Sequence, residues 1–74
     1  MSEQVRFKDV REGAIFRPAS PTWSEKGKTY VKFYHGRWPL GHALDENQRP
    51  IQKASSTDGT LINPSPNDLV TVEQ

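Results

Sequence analysis

The stretch that decides the fold covers residues 28–38 and reads KTYVKFYHGRW. It is rich in aromatic and β-branched residues, which favour strands. We therefore expect Thr29–Tyr34 to form the clearest strand of the chain. The next three residues, His35 to Arg37, predict a turn around Gly36. Trp38–Leu44 then returns as a second strand.

Glycine and proline residues interrupt the chain along its whole length. Between Gly13 and Pro66 no uninterrupted run exceeds eight residues, whereas a mean helix needs about eleven. The short segments that remain predict an all-β domain. Besides the two strands above, the candidate strands are Val5–Val10 (extended or a short helical turn), Ala14–Arg17, Pro50–Ala54, Thr60–Asn63 and Leu69–Glu73.

The order of these segments favours a closed sheet. We predict a small five-stranded Src-homology-3-like barrel, because closure removes the free edges of a short open sheet. Gly13 is expected in a tight turn and Asp58-Gly59 in a two-residue hairpin. The corner PSPND at residues 64–68 predicts a 3-10 turn before the last strand. An oligonucleotide-binding-type barrel fits less well, because the chain has no room for its usual helix.

The length and composition bound the class of protein. Seventy-four residues predict a single domain over residues 1–74, with residues 1–4 as a flexible tail, and marginal stability or oligomerisation. The absence of cysteine excludes disulfides, a thiol nucleophile and cysteine-ligated zinc. No apolar run reaches the length of a membrane span or of a signal-peptide core. We therefore expect a cytoplasmic protein without membrane contact.

Charge is distributed unevenly along the chain. Residues 5–37 hold eight basic and three acidic residues, and residues 38–74 hold two basic and five acidic ones, although the net charge is only +1. A basic N-terminal half would attract a polyanion or an acidic protein.

No residue pattern points to catalysis or to a metal. His35 and His42 are seven residues apart without a clear third ligand, so they do not predict a zinc site. Ser55, Ser56 and Asp58 share a polar turn that contains no histidine to act as a base. Phosphate-binding and calcium-binding loops are also missing from the sequence. We predict neither enzymatic activity, nor a cofactor, nor a bound metal.

Four segments resemble a known group of proteins. They read FKDVREGAIFR (7–17), YVK (30–32), HAL (42–44) and INPSPNDLVTV (62–72). Together they resemble a loose group of very small phage and prophage β-barrel proteins, mostly of unassigned activity, which includes inhibitors of host enzymes and defence systems. The resemblance implies a phage accessory protein that binds and inhibits a host protein in the host cytoplasm. It assigns no site residue, and the loop Pro18–Gly27 departs from the group's pattern.

The predicted function is therefore binding to another macromolecule, with a protein as the first partner. Trp and Arg are the residues most often found as interface anchors. We predict that Trp23, Tyr34, Arg37 and Trp38 contact this partner and that the loop Pro18–Gly27 orders on binding.

Two alternatives remain open. If Val31 and Phe33 face the core, the opposite face of the strand is a ladder of lysines and tyrosines, suited to stacking on single-stranded nucleic acid. That site would comprise Lys28, Tyr30, Lys32, Tyr34 and Arg37. The structural explanation of the same residues is that one tyrosine belongs to the core and the lysine stems cover apolar surface. The other alternative is a homo-oligomeric structural protein.

Overall fold

The computed structural model describes residues 2–73, which form an all-β domain, as predicted. Its elements are β1 (Ser2–Arg6), a 3-10 helix (Phe7–Asp9), β2 (Ile15–Pro18), β3 (Tyr30–His35), β4 (Trp38–Ala43), β5 (Leu61–Ile62) and β6 (Leu69–Glu73). Gly13 has a φ of +88° in the turn before β2, in agreement with the expected tight turn. No helix in this part of the chain is long and apolar enough to cross a membrane.

The six strands form one antiparallel sheet in the order β1-β6-β2-β3-β4-β5. Within residues 2–73 no ladder joins β1 to β5, so the sheet is open and the predicted five-stranded closed barrel is wrong. β1 begins before the candidate segment Val5–Val10 and includes residues 2–4 of the predicted flexible tail, while Met1 lies outside the described residues. At the other edge, the Leu61 N–H donates to the Ser55 carbonyl at 3.1 Å instead of to β1.

The position of the 3-10 turn and of one strand also differs from the prediction. The helix lies early, at Phe7–Asp9, where the Val10 N–H donates to the Phe7 carbonyl at 3.1 Å. The corner before β6 is instead a turn in which the Ser65 N–H donates to the Asp68 carboxylate at 3.0 Å. Pro50–Ala54 is not a strand and makes a single bridge, between Leu44 and Pro50.

Aromatic rings form the centre of the core. Phe7, Phe16 and Tyr30 are fully buried, with ring centroids 5.3 Å apart for Phe7–Phe16 and 5.9 Å for Phe16–Tyr30. A Cβ atom on Gly41 would lie 2.7 Å from Phe16 Cζ and 2.8 Å from Ile62 Cγ1. Because such contacts are too close, only glycine fits where β4 crosses this core.

A lysine is buried beside these rings. Lys32 is 1% exposed, and its Nζ donates to the Phe7 carbonyl at 2.8 Å and to the Val10 carbonyl at 2.7 Å. The same atom lies 4.6 Å from the centroid of the Phe7 ring, within the range of a cation–π contact. Burial lowers the pKa of Lys32, while the charge of Asp9 raises it. The ammonium thus ties β3 to the 3-10 helix.

These contacts fix the orientation of β3. It is the reverse of the orientation that a nucleic-acid site would require, in which Val31 and Phe33 face the core. Tyr30 and Lys32 face the core, whereas Val31 and Phe33 are half-buried on the outer face. The Tyr30 hydroxyl donates to the Gly59 carbonyl. Burial, together with the charges of Glu25 and Asp58, raises the pKa of Tyr30 to about 12. The structural explanation, in which one tyrosine belongs to the core, is therefore correct for Tyr30.

Candidate functional site

The outer side of the β3–β4 hairpin is an apolar surface that the strand pairing builds. Directly opposite residues in an antiparallel pair project to the same side of the sheet. The outward pairs are Val31 with His42, Phe33 with Leu40 and His35 with Trp38. We call this set of six residues the hairpin face.

The neighbouring strands extend the hairpin face. Ile15 on β2 pairs with Val31, and Leu61 on β5 pairs with His42, so both side chains lie on the same side. They are half-buried, as are Val31, Phe33 and Leu40. Trp38 is different, because 68% of its surface is exposed. The result is an apolar strip across β2, β3, β4 and β5 that ends in an exposed indole.

Two ring and hydrogen-bond contacts fix the middle of this surface. The Phe33 and His42 rings lie 5.3 Å apart and are tilted by 55°. The His42 Nε2 atom is 2.5 Å from the Ile51 carbonyl oxygen, and the Ile51 N–H donates to Ala43 at 3.1 Å. These contacts hold the segment that follows β4 beside the hairpin face and limit the freedom of both rings.

The other half of the outer surface is polar. Arg17 on β2 lies opposite Thr71 on β6, and its Nη2 atom pairs with Glu73 Oε1 at 2.5 Å. Both members of this ion pair are nearly half exposed, and such pairs contribute little to stability. Apart from Leu69 on β6, the apolar residues of the outer surface therefore lie on the side of the hairpin.

The four residues predicted to contact a protein partner are all exposed, but they lie at separate places. Tyr34, Arg37 and Trp38 belong to the tip of the hairpin. Tyr34 pairs with Pro39, and the residues before and after Pro39 on β4 face outwards. Tyr34 therefore projects to the opposite side of the sheet from Trp38. Its ring centroid is 5.7 Å from Lys32 Nζ. Trp38 and Arg37 adjoin the hairpin face, whereas Tyr34 borders the core side.

Trp23 lies in the long loop near the other end of β3. The Lys28 ammonium donates to the carbonyls of Ser24 and Asp58, which ties this loop to the turn before β5. A Cβ on Gly59 would lie 2.5 Å from Ser24 O, so the loop and the turn are in close contact. Five strand steps of about 3.3 Å separate this end of β3 from the tip. Trp23, which is 87% exposed, is thus remote from Trp38.

The five residues of the nucleic-acid alternative do not share one exposed surface. Tyr30 and Lys32 are buried, and Lys28 is half-buried beside two carbonyls. Tyr34 and Arg37 remain exposed. The stacking ladder that this alternative requires is therefore missing from β3.

No metal site is formed by the residues that the structure describes. In residues 2–73, no three His, Cys, Asp or Glu side chains come together as metal ligands would. His35 lies beside the hairpin tip, opposite Trp38, and His42 lies further along β4, opposite Val31.

Val31, Phe33 and Leu40 were missed as surface residues by sequence reasoning. Strand periodicity alone allows either set of β3 side chains to face inwards. The available signal was Gly41, because a glycine within a strand often marks a close approach of other atoms. Gly41 pairs with Lys32, so assigning Gly41 to the core would have turned Lys32 inwards and Phe33 outwards.

Comparison with known proteins adds no relative. No protein-family model matches the chain, and neither a curated protein nor a solved structure matches it. The fold and the surface define a small all-β protein with an open antiparallel sheet and an apolar hairpin face.

Proposed function

We propose that this chain is a non-enzymatic protein-binding module that docks on its partner through the hairpin face. The observation that supports this proposal is the orientation of β3, whose apolar residues Val31 and Phe33 lie outside while Lys32 lies inside. In an antiparallel sheet with one face on the core, the other face is usually polar, so apolar residues on that face indicate a surface that is covered by another molecule. A partner protein would supply the second cover.

Trp38 is the anchor of this proposal. An aromatic side chain buries about 150–250 Å² when it is fully covered, and 68% of Trp38 is exposed. At roughly 25 cal/mol per Å², covering the indole contributes about 3–4 kcal/mol before the costs of association. Arg37 lies next to it in the turn, and the pair has the composition of an interface hot spot.

Inhibition of a host protein is the specific form of binding that we propose. The resemblance of residues 7–17 and 62–72 to small phage proteins supports this form. A domain of 74 residues acts on a larger enzyme most simply by covering part of its surface. We propose the host cytoplasm as the place of action on the same ground.

The test is an affinity purification from a lysate of the source cells, treated with nuclease. The bait proteins are the wild type, Trp38→Ser and the double variant Phe33→Ser, Leu40→Ser. We expect the wild type to retain one protein in stoichiometric amount after nuclease treatment and both variants to lose it.

Leu69→Ser is the matched control. Leu69 is an apolar residue that is 52% exposed, but it lies on β6 and not on the hairpin face. This variant should retain the partner. The proposal is wrong if all variants retain the same protein, or if nuclease removes everything that the wild type binds.

A further inference from the structure

We infer that the partner's docking surface is an apolar patch bordered by aspartate and glutamate side chains. This inference rests on the proposed function and adds the chemistry of the partner. It comes from the charges around the hairpin face, which are all of one sign along β3 and β4.

All the charged residues of the hairpin and of the segment that precedes it are basic. Between Lys26 and Leu44 the sequence contains four lysines and arginines and no aspartate or glutamate. Within residues 2–73 none of these four cations makes a direct ion pair with a carboxylate, although Asp58 and Asp9 interact electrostatically with Lys28 and Lys32. The hairpin is therefore a source of positive potential.

One exposed cation adjoins the apolar strip, at the end that carries Trp38. Arg37 is exposed in the turn between His35 and Trp38. Lys28 precedes β3, but its ammonium is bound by the carbonyls of Ser24 and Asp58, beside the core-side Tyr30 hydroxyl, and it interacts with the Asp58 carboxylate. An acidic border on the partner would match this arrangement, because complementary potentials steer association and fix orientation.

A third cation lies beneath the sheet. The Lys32 ammonium is held by the carbonyls of Phe7 and Val10 and not by a carboxylate. A charge away from water is screened less than a charge at the surface. The charge of Asp9 offsets part of the field of Lys32, and what remains acts on the core side of the hairpin tip, where the Tyr34 ring centroid lies 5.7 Å from Lys32 Nζ.

A second copy of this chain fits the hairpin face poorly. A twofold dimer brings the same patch of both copies together, and residues 26–44 of the second copy offer Arg37 no aspartate or glutamate. Nucleic acid also fits poorly, because the centre of the strip is occupied by Phe33 and Leu40 and not by phosphate-binding cations. An acidic-bordered protein surface satisfies both the apolar centre and the cation at the hairpin tip.

The test is a selection of random twelve-residue peptides displayed on yeast, with the wild-type protein as the immobilised target. Selected peptides are then measured against three variants: Trp38→Ser, Arg37→Glu and Lys53→Glu. Lys53 is exposed and lies outside the hairpin, so Lys53→Glu controls for the change of net charge. A twelve-nucleotide oligothymidine is measured in parallel.

We expect peptides that combine an aromatic or aliphatic centre with aspartate or glutamate and that lose binding with Trp38→Ser. Arg37→Glu should weaken these peptides about tenfold and Lys53→Glu less than twofold, because the first change places like charges in contact. Neutral or basic peptides that depend on Trp38 would overturn the inference and leave the proposed function standing. Peptides that are insensitive to Trp38→Ser, the absence of any enriched peptide, or Trp38-dependent binding of oligothymidine alone would overturn both.

Discussion

Replacing Lys32 by methionine tests whether a buried ammonium holds the 3-10 helix to the sheet. Methionine keeps the length of the side chain but removes the donor that lies 2.8 Å from the Phe7 carbonyl and 2.7 Å from the Val10 carbonyl. The Phe7 oxygen keeps the Val10 N–H at 3.1 Å, whereas the Val10 oxygen loses the Lys32 donor.

The magnitude follows from this difference. A buried acceptor that loses its partner costs about 1–3 kcal/mol, and the Phe7 carbonyl loses the stronger of its donors. Removing the buried charge returns part of this cost, because burial lowers the pKa of Lys32 and so opposes its ionised form. We expect a net loss of about 2 kcal/mol in the free energy of unfolding.

Thermal unfolding followed by circular dichroism measures this loss. For a domain of this size about 2 kcal/mol lowers the Tm by roughly 8–16 °C. Lys53→Met is the control, because Lys53 is exposed and such a change stays within about 0.5 kcal/mol. A Lys32→Met protein as stable as the wild type would refute the role given to the ammonium.

Three further predictions concern the core and the turns. Because the pKa of Tyr30 is raised to about 12, its stabilising effect should be present below pH 10 and lost between about pH 10 and 12. Absorbance at tyrosinate wavelengths should show a late transition that Tyr30→Phe removes, and a Tyr30 transition near pH 10 would contradict this. Gly41→Ala should lower the free energy of unfolding, measured by chemical denaturation, by about 1–3 kcal/mol, because its Cβ would meet Phe16 Cζ at 2.7 Å. An unchanged denaturation midpoint would show that the core can move aside. Gly59→Ala should destabilise more than Gly36→Ala: both have positive φ, but only the Gly59 Cβ would meet backbone, at 2.5 Å from Ser24 O, and equal losses would refute that distinction.

The class of fold was accessible from the sequence because glycine and proline leave room only for short strands. The β3–β4 hairpin around Gly36 and the last strand, Leu69–Glu73, were predicted nearly to the residue. Whether the sheet closes into a barrel could not be predicted from the sequence, because closure depends on whether the free edge of the short β5 forms hydrogen bonds with β1. Here Leu61 pairs with Ser55 instead, a contact that no periodicity reveals.

The candidate site shows a different limit. Exposed aromatics at a turn, such as Trp38, are recognisable from the sequence, and the structure leaves Trp38 exposed. The inward direction of Lys32 was not recognisable, because its burial depends on carbonyl oxygens of Phe7 and Val10, more than twenty residues earlier. Since Lys32 determines which side of β3 faces water, the apolar strip became visible only in three dimensions.

Site-specific photo-crosslinking tests the central claim most directly. Benzoylphenylalanine is introduced in place of Trp38 on the hairpin face or in place of Trp23 in the remote loop, and each protein is irradiated in nuclease-treated lysate of the source cells. Our account predicts one crosslinked protein from position 38 and none from position 23. A product from position 23 alone, or no product from position 38, would contradict it.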